Sequence, residues 1–226
     1  MPLKGKGILT DLQKAVIFSF RSVPDSQHFY LTGGTALAEF YLGHRKSFDL
    51  DLFTAEKGLI VPFSWVLEEE LKKEFSVGVV RRFESFVELE MEKTGESTRV
   101  QLAYDSPFRF EQPLESDLGI KVNDYRDLVT DKMLAFFGRV EPRDAVDLFL
   151  ILKNEDVWNL SELAQKKDPG FDLYWLAIAM QKTADFPDEI EKWPVEMTVD
   201  IDGRELKDTF STLSRRMMER LGKSPL

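Results

Sequence analysis

The sequence predicts a protein of mixed α and β structure, in which an α/β half is followed by a helical half. In the first half, several short runs alternate apolar and polar residues, which is the pattern of half-buried strands. Beyond Pro107 and Pro113, apolar residues recur at helical spacing instead. We therefore expect an α/β core over residues 1–110 and a helical region over residues 111–226.

The α/β half opens with a predicted helix and a strand–turn–helix unit. Residues 9–20 carry apolar side chains on one helical face. The short apolar run 29–31 is followed by Gly33 and Gly34, which predict a tight turn, and residues 36–42 then resume helical spacing. The order of these patterns predicts a strand, a glycine turn and a helix.

The next run, residues 48–53, alternates apolar and acidic residues strictly. A strand with this pattern carries Asp49 and Asp51 on one face and its apolar residues on the other. Residues 63–75 predict a helix, and residues 87–91 and 99–104 predict an antiparallel hairpin with a turn at 94–97. The helices predicted in the second half cover residues 124–139, 142–152, 171–183 and 206–221.

Composition limits the possible functions. The chain has 226 residues, no cysteine and two histidines, so any metal must be held mainly by oxygen ligands, which suits Mg²⁺. No run of about 18 uncharged apolar residues is present, so we expect no membrane segment and a cytoplasmic protein. The net charge of −10 disfavours a broad nucleic-acid-binding face.

One basic cluster stands out against this acidic background. It consists of Arg215, Arg216, Arg220 and Lys223, close to the C-terminus. The cluster is either an ordinary solvated helix end or a local contact for phosphate groups.

The glycine turn and the two aspartates together indicate a binding site, which neither motif indicates alone. Alone, a Gly-Gly turn is usually only a tight turn, and Asp-x-Asp is usually a pair of solvated acids. Together, a glycine turn before a helix favours binding of a triphosphate, and a following strand with two carboxylates supplies ligands for the metal that bridges those phosphates. The pair Asp49 and Asp51 is therefore our candidate metal site.

Two blocks of sequence resemble a known family. The stretch LTGGTALA from Leu31, with HRKSFDLDLF from His44, resembles the signature of the AbiEii/AbiGii toxin-type nucleotidyltransferases of the DNA polymerase β superfamily. A second block, DLVTDKMLA from Asp127 with RDAVDL from Arg143, resembles that family's lysine motif and its Arg/Lys-Asp-x-x-Asp motif. The resemblance implies a mixed sheet with flanking helices and a helical C-terminal region that completes the active-site cleft.

The resemblance also implies roles for individual residues. Gly33, Gly34 and Thr35 would hold the triphosphate of an NTP, and Asp49 and Asp51 would bind Mg²⁺ or Mn²⁺. Lys132 would neutralise phosphate charge. Arg143, Asp144 and Asp147 would orient Lys132 or the acceptor. Of these, Asp144 would be a catalytic residue and Arg143 would bind the nucleotide.

Simpler explanations stay open for several of these residues. Arg143 and Asp147 could form an ordinary ion pair at i,i+4. Lys132 could lie at the edge of the core with its charge in water. His44 fits an ordinary polar position in the loop before the strand.

The sequence departs from the superfamily pattern at one position. A third carboxylate is expected on a neighbouring strand, where this chain has Gln101, whose amide cannot remove a proton. Asp105 lies four residues further on and could replace the missing acid as a metal ligand, and Glu88 and Glu90 are further candidates.

These implications predict an enzyme that transfers a nucleoside monophosphate from an NTP to an acceptor hydroxyl. The tRNA 3′ end is the favoured acceptor, and a protein side chain is the alternative. The biological setting would be a toxin of a toxin–antitoxin or phage-defence pair, with a separate antitoxin protein as partner. Because of Gln101, a catalytically degenerate nucleotide-binding or interaction module remains an alternative, and an unrelated acidic α/β protein would require both motif blocks to be accidental.

Overall fold

The computed structural model describes residues 1–222, and they form two compact units. The first unit is Met1–Tyr125 and the second begins at Arg126. Among the described residues, seven strands form one mixed sheet in the first unit, and the second unit is helical. The predicted fold class is therefore confirmed. No helix of the described residues is long and apolar enough to cross a membrane.

The sheet of the first unit has the strand order β3-β4-β5-β2-β1-β7-β6. Strand β2 is central, antiparallel to β1 on one side and parallel to β5 on the other. The pair β1–β7 is also parallel, and the pairs β3–β4, β4–β5 and β6–β7 are antiparallel. The strands are β1 (Tyr30–Thr32), β2 (Asp49–Thr54), β3 (Ser76–Phe83), β4 (Phe86–Lys93), β5 (Glu96–Tyr104), β6 (Leu114–Glu115) and β7 (Lys121–Val122).

One face of this sheet is apolar and packs on two helices, α1 and α3. The alternation in β2 buries Leu50 and Leu52, while the two aspartates lie on the opposite face. Phe20, Phe29 and Phe63 form an aromatic cluster with ring centroids 4.4–5.8 Å apart. The helical segments of the unit are α1 (Asp11–Ser22), α2 (Gly33–Ala36), which continues as a π-helical segment (Leu37–Leu42), and α3 (Ile60–Leu71).

The second unit contains five α-helices among its described residues. Three of them are preceded by an N-cap aspartate whose carboxylate accepts backbone N–H groups, namely Asp156, Asp172 and Asp202. The helices are α4 (Tyr125–Arg139), whose first residue belongs to the first unit, α5 (Pro142–Ile151), α6 (Val157–Lys167), α7 (Leu173–Lys182) and α8 (Gly203–Arg220).

Candidate active site

The glycine turn, Gly33 and Gly34, directly follows β1 and forms the first residues of α2, and it lies against the acidic strand. Gly33 has a φ of +70°, and a Cβ atom there would collide with the carboxylate of Asp51. A Cβ on Gly34 would collide with the guanidinium of Arg45, which is buried. Gly33 is therefore favoured by its positive φ and by the close approach of a carboxylate, and Gly34 by the close approach of a guanidinium, whatever the turn binds.

Two residues of the loop before β2, His44 and Arg45, are buried, whereas Lys46 and Phe48 are exposed. His44 lies in this loop, as the sequence suggested, and is only 1% exposed. Arg45 Nη1 donates to the Lys46 carbonyl at 3.0 Å. The loop thus brings a guanidinium to the glycine turn.

The start of β2 is fixed by side chains from three different elements. Three consecutive backbone carbonyls each accept a hydrogen bond from a side chain, which holds the strand at the point where its first aspartate lies. The donors and acceptors are Gln13 to Ser47 (2.7 Å), Thr98 to Phe48 (2.6 Å) and Thr35 to Asp49. The Thr35 hydroxyl therefore positions the strand that carries the candidate metal ligands, a contact that sequence reasoning missed.

Asp51 belongs to a row of polar residues that crosses four strands on one face. In register, it lies opposite Thr32 of β1 and Gln101 of β5, and Gln101 lies opposite Glu88 of β4. Residues paired in this way project from the same face of a sheet. Gln101 thus occupies the strand position next to Asp51 where the resemblance implied a third carboxylate.

Glu88 is the buried acid of this row. It is 1% exposed, and its charge is balanced by two arginines, with Arg81 Nε 3.0 Å from Oε2 and Arg99 Nη1 3.6 Å from Oε1. Arg99 Nε also lies 3.5 Å from the exposed Glu90. These two glutamates are therefore bound to arginines on the polar face.

Asp105 is not brought to the acidic pair. It follows β5, beyond the last pair of the β2–β5 register, and four residues of strand from Gln101 correspond to about 13 Å. Its carboxylate accepts hydrogen bonds from Tyr30 and from Arg109 Nη2, the latter at 2.7 Å. These contacts close the far end of the polar face, and the metal-binding role assigned to Asp105 has no geometric support.

Among residues 1–222, no group of three or more histidine, aspartate or glutamate side chains could hold a metal ion. Two carboxylates on one strand nevertheless fit Mg²⁺, which usually takes one or two carboxylates and completes its shell with water and phosphate oxygens. The donor set of Asp49 and Asp51 is therefore compatible with an ion bound together with its nucleotide.

A hydrogen-bonded network supports the glycine turn from β7. The side-chain amide of Asn123 donates a hydrogen bond to the Thr32 hydroxyl at 3.0 Å, and the backbone carbonyl of Asn123 accepts one from the Tyr41 hydroxyl at 2.8 Å. Burial, together with the negative charge of Asp124, raises the pKa of Tyr41 well above its usual value. Tyr41 is therefore a neutral hydrogen-bond donor.

In the second unit, Lys132 of α4 is buried with the acids of α5. Its Nζ lies 2.8 Å from Asp147 Oδ2 and 3.9 Å from Asp144 Oδ1, and both acids are fully buried. Lys132 is 5% exposed, so its charge is not in water at the edge of the core. Asp144 and Asp147, one helical turn apart, both face Lys132 from one side of α5.

Arg139 completes this cluster, a role that sequence reasoning did not assign. Its Nε and Nη2 bind both oxygens of Asp144, at 2.6 and 3.0 Å. Arg143 Nε binds Glu141 at 2.8 Å. In the sequence, Arg139 was marked only by its place between the two motifs. Its contact with Asp144 could not be predicted, because the loop that folds Arg139 back onto α5 has no periodic pattern.

Three members of the C-terminal basic cluster, Arg215, Arg216 and Arg220, lie on α8. Arg215 and Arg216 are exposed, and the Arg220 guanidinium stacks 4.5 Å from the centre of the Trp158 ring. Lys223, the fourth member, lies outside the described residues.

Comparison with known proteins shows which family the first part of the chain is similar to. The family described as "Nucleotidyl transferase AbiEii toxin, Type IV TA system" matches residues 16–109, the stretch that contains the glycine turn and the acidic strand. The match covers less than half of the chain, and over these residues it confirms the resemblance stated above. No curated protein sequence matches the chain.

Two solved structures share the fold at low sequence identity. MenT4, a nucleotidyltransferase toxin from Mycobacterium tuberculosis, is similar with 15% identity and a TM-score of 0.60, over 91% of this chain and 85% of its own. JHP933 from Helicobacter pylori is similar with 16% identity and a TM-score of 0.56, over 96% and 94%. These similarities extend the shared fold beyond the residues that the family matches.

Proposed function

We propose that the protein is a Mg²⁺-dependent enzyme that transfers a nucleoside monophosphate from an NTP to an acceptor hydroxyl. The observation that carries this proposal is the position of Asp49 and Asp51 on one face of β2, with the Asp51 carboxylate against Gly33. The pair lies inside the stretch that matches the nucleotidyltransferase family.

In the proposed reaction, the protein mainly positions the reacting groups and neutralises the charge of the phosphates. The backbone of Gly33, Gly34 and Thr35 would hold the triphosphate, and Asp49 and Asp51 would hold Mg²⁺ or Mn²⁺. The ion, when bound, supplies positive charge and open positions for phosphate oxygens. The acceptor oxygen forms a bond to the α-phosphorus while the bond to the leaving pyrophosphate breaks, and solvent takes up the hydroxyl proton because Gln101 cannot.

The buried cluster of the second unit has its own proposed role. Lys132 would supply a cation for the phosphates, and Asp147 and Asp144 would hold that cation in place. Arg143 would contribute to nucleotide binding, as the resemblance implied.

For the biological setting, we propose a cytoplasmic toxin that is controlled by a separate antitoxin. The family's description as a type IV toxin–antitoxin system supports this setting. The proposed acceptor is the 3′ end of an RNA, with tRNA favoured over a protein side chain, because arginines on α8 offer phosphate contacts.

A catalytically degenerate nucleotide-binding module is the second candidate. It is favoured by one observation, namely that Gln101 is the register partner of Asp51. An amide there can accept one metal bond but cannot act as a base. Such a module would bind Mg²⁺–NTP without transferring the nucleotide.

Substitution of the acidic pair tests the proposal. Asp49→Asn and Asp51→Asn should each weaken Mg²⁺–NTP binding about tenfold or more in calorimetric titration, because a charged ligand of the ion is lost. Asp11→Asn serves as the control because that side chain is fully exposed on α1. Unchanged affinity in both variants would reject the site.

A transfer assay then separates the two candidate functions. The protein is incubated with Mg²⁺, each α-labelled NTP and either total tRNA or cell lysate. Transferred label supports the enzyme, and nucleotide binding without transfer under all these conditions supports the degenerate module.

A further inference from the structure

We propose that Arg99 binds a phosphate group of the acceptor, on the side of the Asp49–Asp51 pair opposite the glycine turn. This inference rests on the proposed nucleotidyl transfer. It starts from strand order: β2 lies between β1, which leads into the turn at Gly33 and Gly34, and β5, which carries Arg99.

Arg99 is placed to reach the reacting groups. It is the register partner of Asp49 in the parallel pair β2–β5, so the two side chains project from one face of adjacent strands, about 4.8 Å apart. Its side chain is 50% exposed. Arg99 therefore presents a cation to solvent directly beside the candidate metal site.

The present partners of Arg99 hold it loosely. Its distances to Glu88 and Glu90 are 3.6 and 3.5 Å, longer than the 2.7–2.9 Å or so of a strong charge-assisted hydrogen bond. A guanidinium has five N–H donors, and a phosphate can accept two of them in parallel. Arg99 can thus bind a phosphate group without giving up its place near the two glutamates.

The direction of the reaction decides which phosphate this is. In phosphoryl-type transfer the attacking and leaving oxygens lie roughly in line, on opposite sides of the phosphorus. If the turn at Gly33 and Gly34 holds the polyphosphate on the β1 side, the acceptor must approach from the β5 side. On that side Arg99 is the cation that is paired in register with Asp49, so it meets a phosphate of the acceptor chain, which a nucleic acid carries and an unmodified protein does not.

If Arg99 had a purely structural role, substitutions of Arg99 and Arg81 would be expected to have similar effects. Both Arg99 and Arg81 neutralise the buried Glu88, and Arg81 is closer, at 3.0 Å. Arg81, however, lies on the edge strand β3, three strands from β2. If Arg99 only balances Glu88, removing Arg81 should disturb the protein at least as much.

The test measures transfer of label from an α-labelled NTP to total tRNA by the full chain and its variants. Arg99→Gln should raise the KM for tRNA about tenfold, as expected for one lost charged hydrogen-bonding contact, and leave the KM for NTP unchanged. The salt dependence of log KM for tRNA should fall in slope by about 0.7, the value for one phosphate of a single strand. Arg99→Lys should restore part of the effect.

Arg81→Gln is the matched control and should leave both KM values unchanged, with thermal melts confirming that each variant is folded. A wild-type KM for tRNA in Arg99→Gln, an equal rise in Arg81→Gln, or label on protein only would overturn the inference. A wild-type protein that transfers no label to any acceptor would refute the proposed function itself, and the inference with it.

Discussion

At the scale of single residues, Gly33 has to meet two requirements at once. Its φ of +70° disfavours any side chain, and the missing Cβ leaves room for the Asp51 carboxylate. Gly33→Ala should therefore destabilise the protein by about 1–2 kcal/mol through the backbone and also displace Asp51. We expect Mg²⁺–NTP affinity to fall as far as in Asp51→Asn, measured by calorimetric titration alongside urea unfolding.

Gly58→Ala separates these two effects. Gly58 has a φ of +80°, but nothing lies within 4 Å of the position its Cβ would take. This control should show a similar backbone cost and normal nucleotide binding. If both variants bind the nucleotide alike, the contact between Gly33 and Asp51 has no role in the site.

Part of the candidate site could be predicted from sequence because its geometry is local. Alternation within one strand placed Asp49 and Asp51 on a common face, and the glycine turn followed from two adjacent letters. The contacts of Arg99 and Arg81 with Glu88 depend on which strands are neighbours in the sheet. Strand order is set by packing of the whole unit, so no local pattern could reveal this cluster.

At the scale of elements, an ion cluster joins β3 to α3. Glu68 of α3 binds Arg82 of β3 and Lys72, and the Arg82 guanidinium stacks 3.5 Å from the centre of the Trp65 ring. These hydrogen bonds, first from Lys72 and then from Arg82, lower the pKa of Glu68. The cluster anchors an edge strand whose own side chains are mostly exposed.

The lowered pKa fixes the sign of a pH effect. A carboxyl group whose pKa is lower in the folded state stabilises the protein above its unfolded value of 4.5, and this contribution is lost as the pH falls through the folded value. Glu68→Gln should therefore be less stable than the wild type at pH 7, and the gap should narrow below about pH 4.5. Urea unfolding at pH 7, 5 and 4 measures it.

Glu69→Gln is the control for this experiment. Glu69 also lies 3.0 Å from Lys72, but its side chain is 75% exposed, so its substitution should change stability by less than about 0.5 kcal/mol at any of these pH values. A gap for Glu68→Gln that stays constant with pH would contradict the role of the charged form.

The contrast between local sequence patterns and contacts set by the whole unit also explains which elements could be predicted. The hairpin of β4 and β5 and the helices with long apolar stripes follow from periodicity, and the structure confirms them. Strand β3 was not predicted, because as an edge strand it has no regular alternation of buried and exposed residues. Strands β6 and β7 have two residues each, too few to form a pattern, and the α6 helix after the Asp156 cap was also not predicted.

At the scale of the whole molecule, charge sets the main condition on an RNA acceptor. The net charge of −10 repels a polyanion, so binding has to depend on a few local cations and to fall as salt rises. Exposed Arg215 and Arg216 on α8 are the candidates from the basic cluster. Arg220 is unsuitable for a charge-reversal test, because its contact with Trp158 would also be lost.

The double variant Arg215→Glu/Arg216→Glu tests this condition by titration with labelled tRNA at several salt concentrations. If both arginines contact phosphates, tRNA affinity should fall at least tenfold and the slope of log affinity against log salt should decrease by about 1.4, which is 0.7 for each single-strand phosphate. Lys4→Glu/Lys57→Glu changes the net charge equally at exposed sites of the first unit. If the two double variants lose the same affinity with the same slope, the general acidity of the molecule would account for the effect, and α8 would have no specific part in binding RNA.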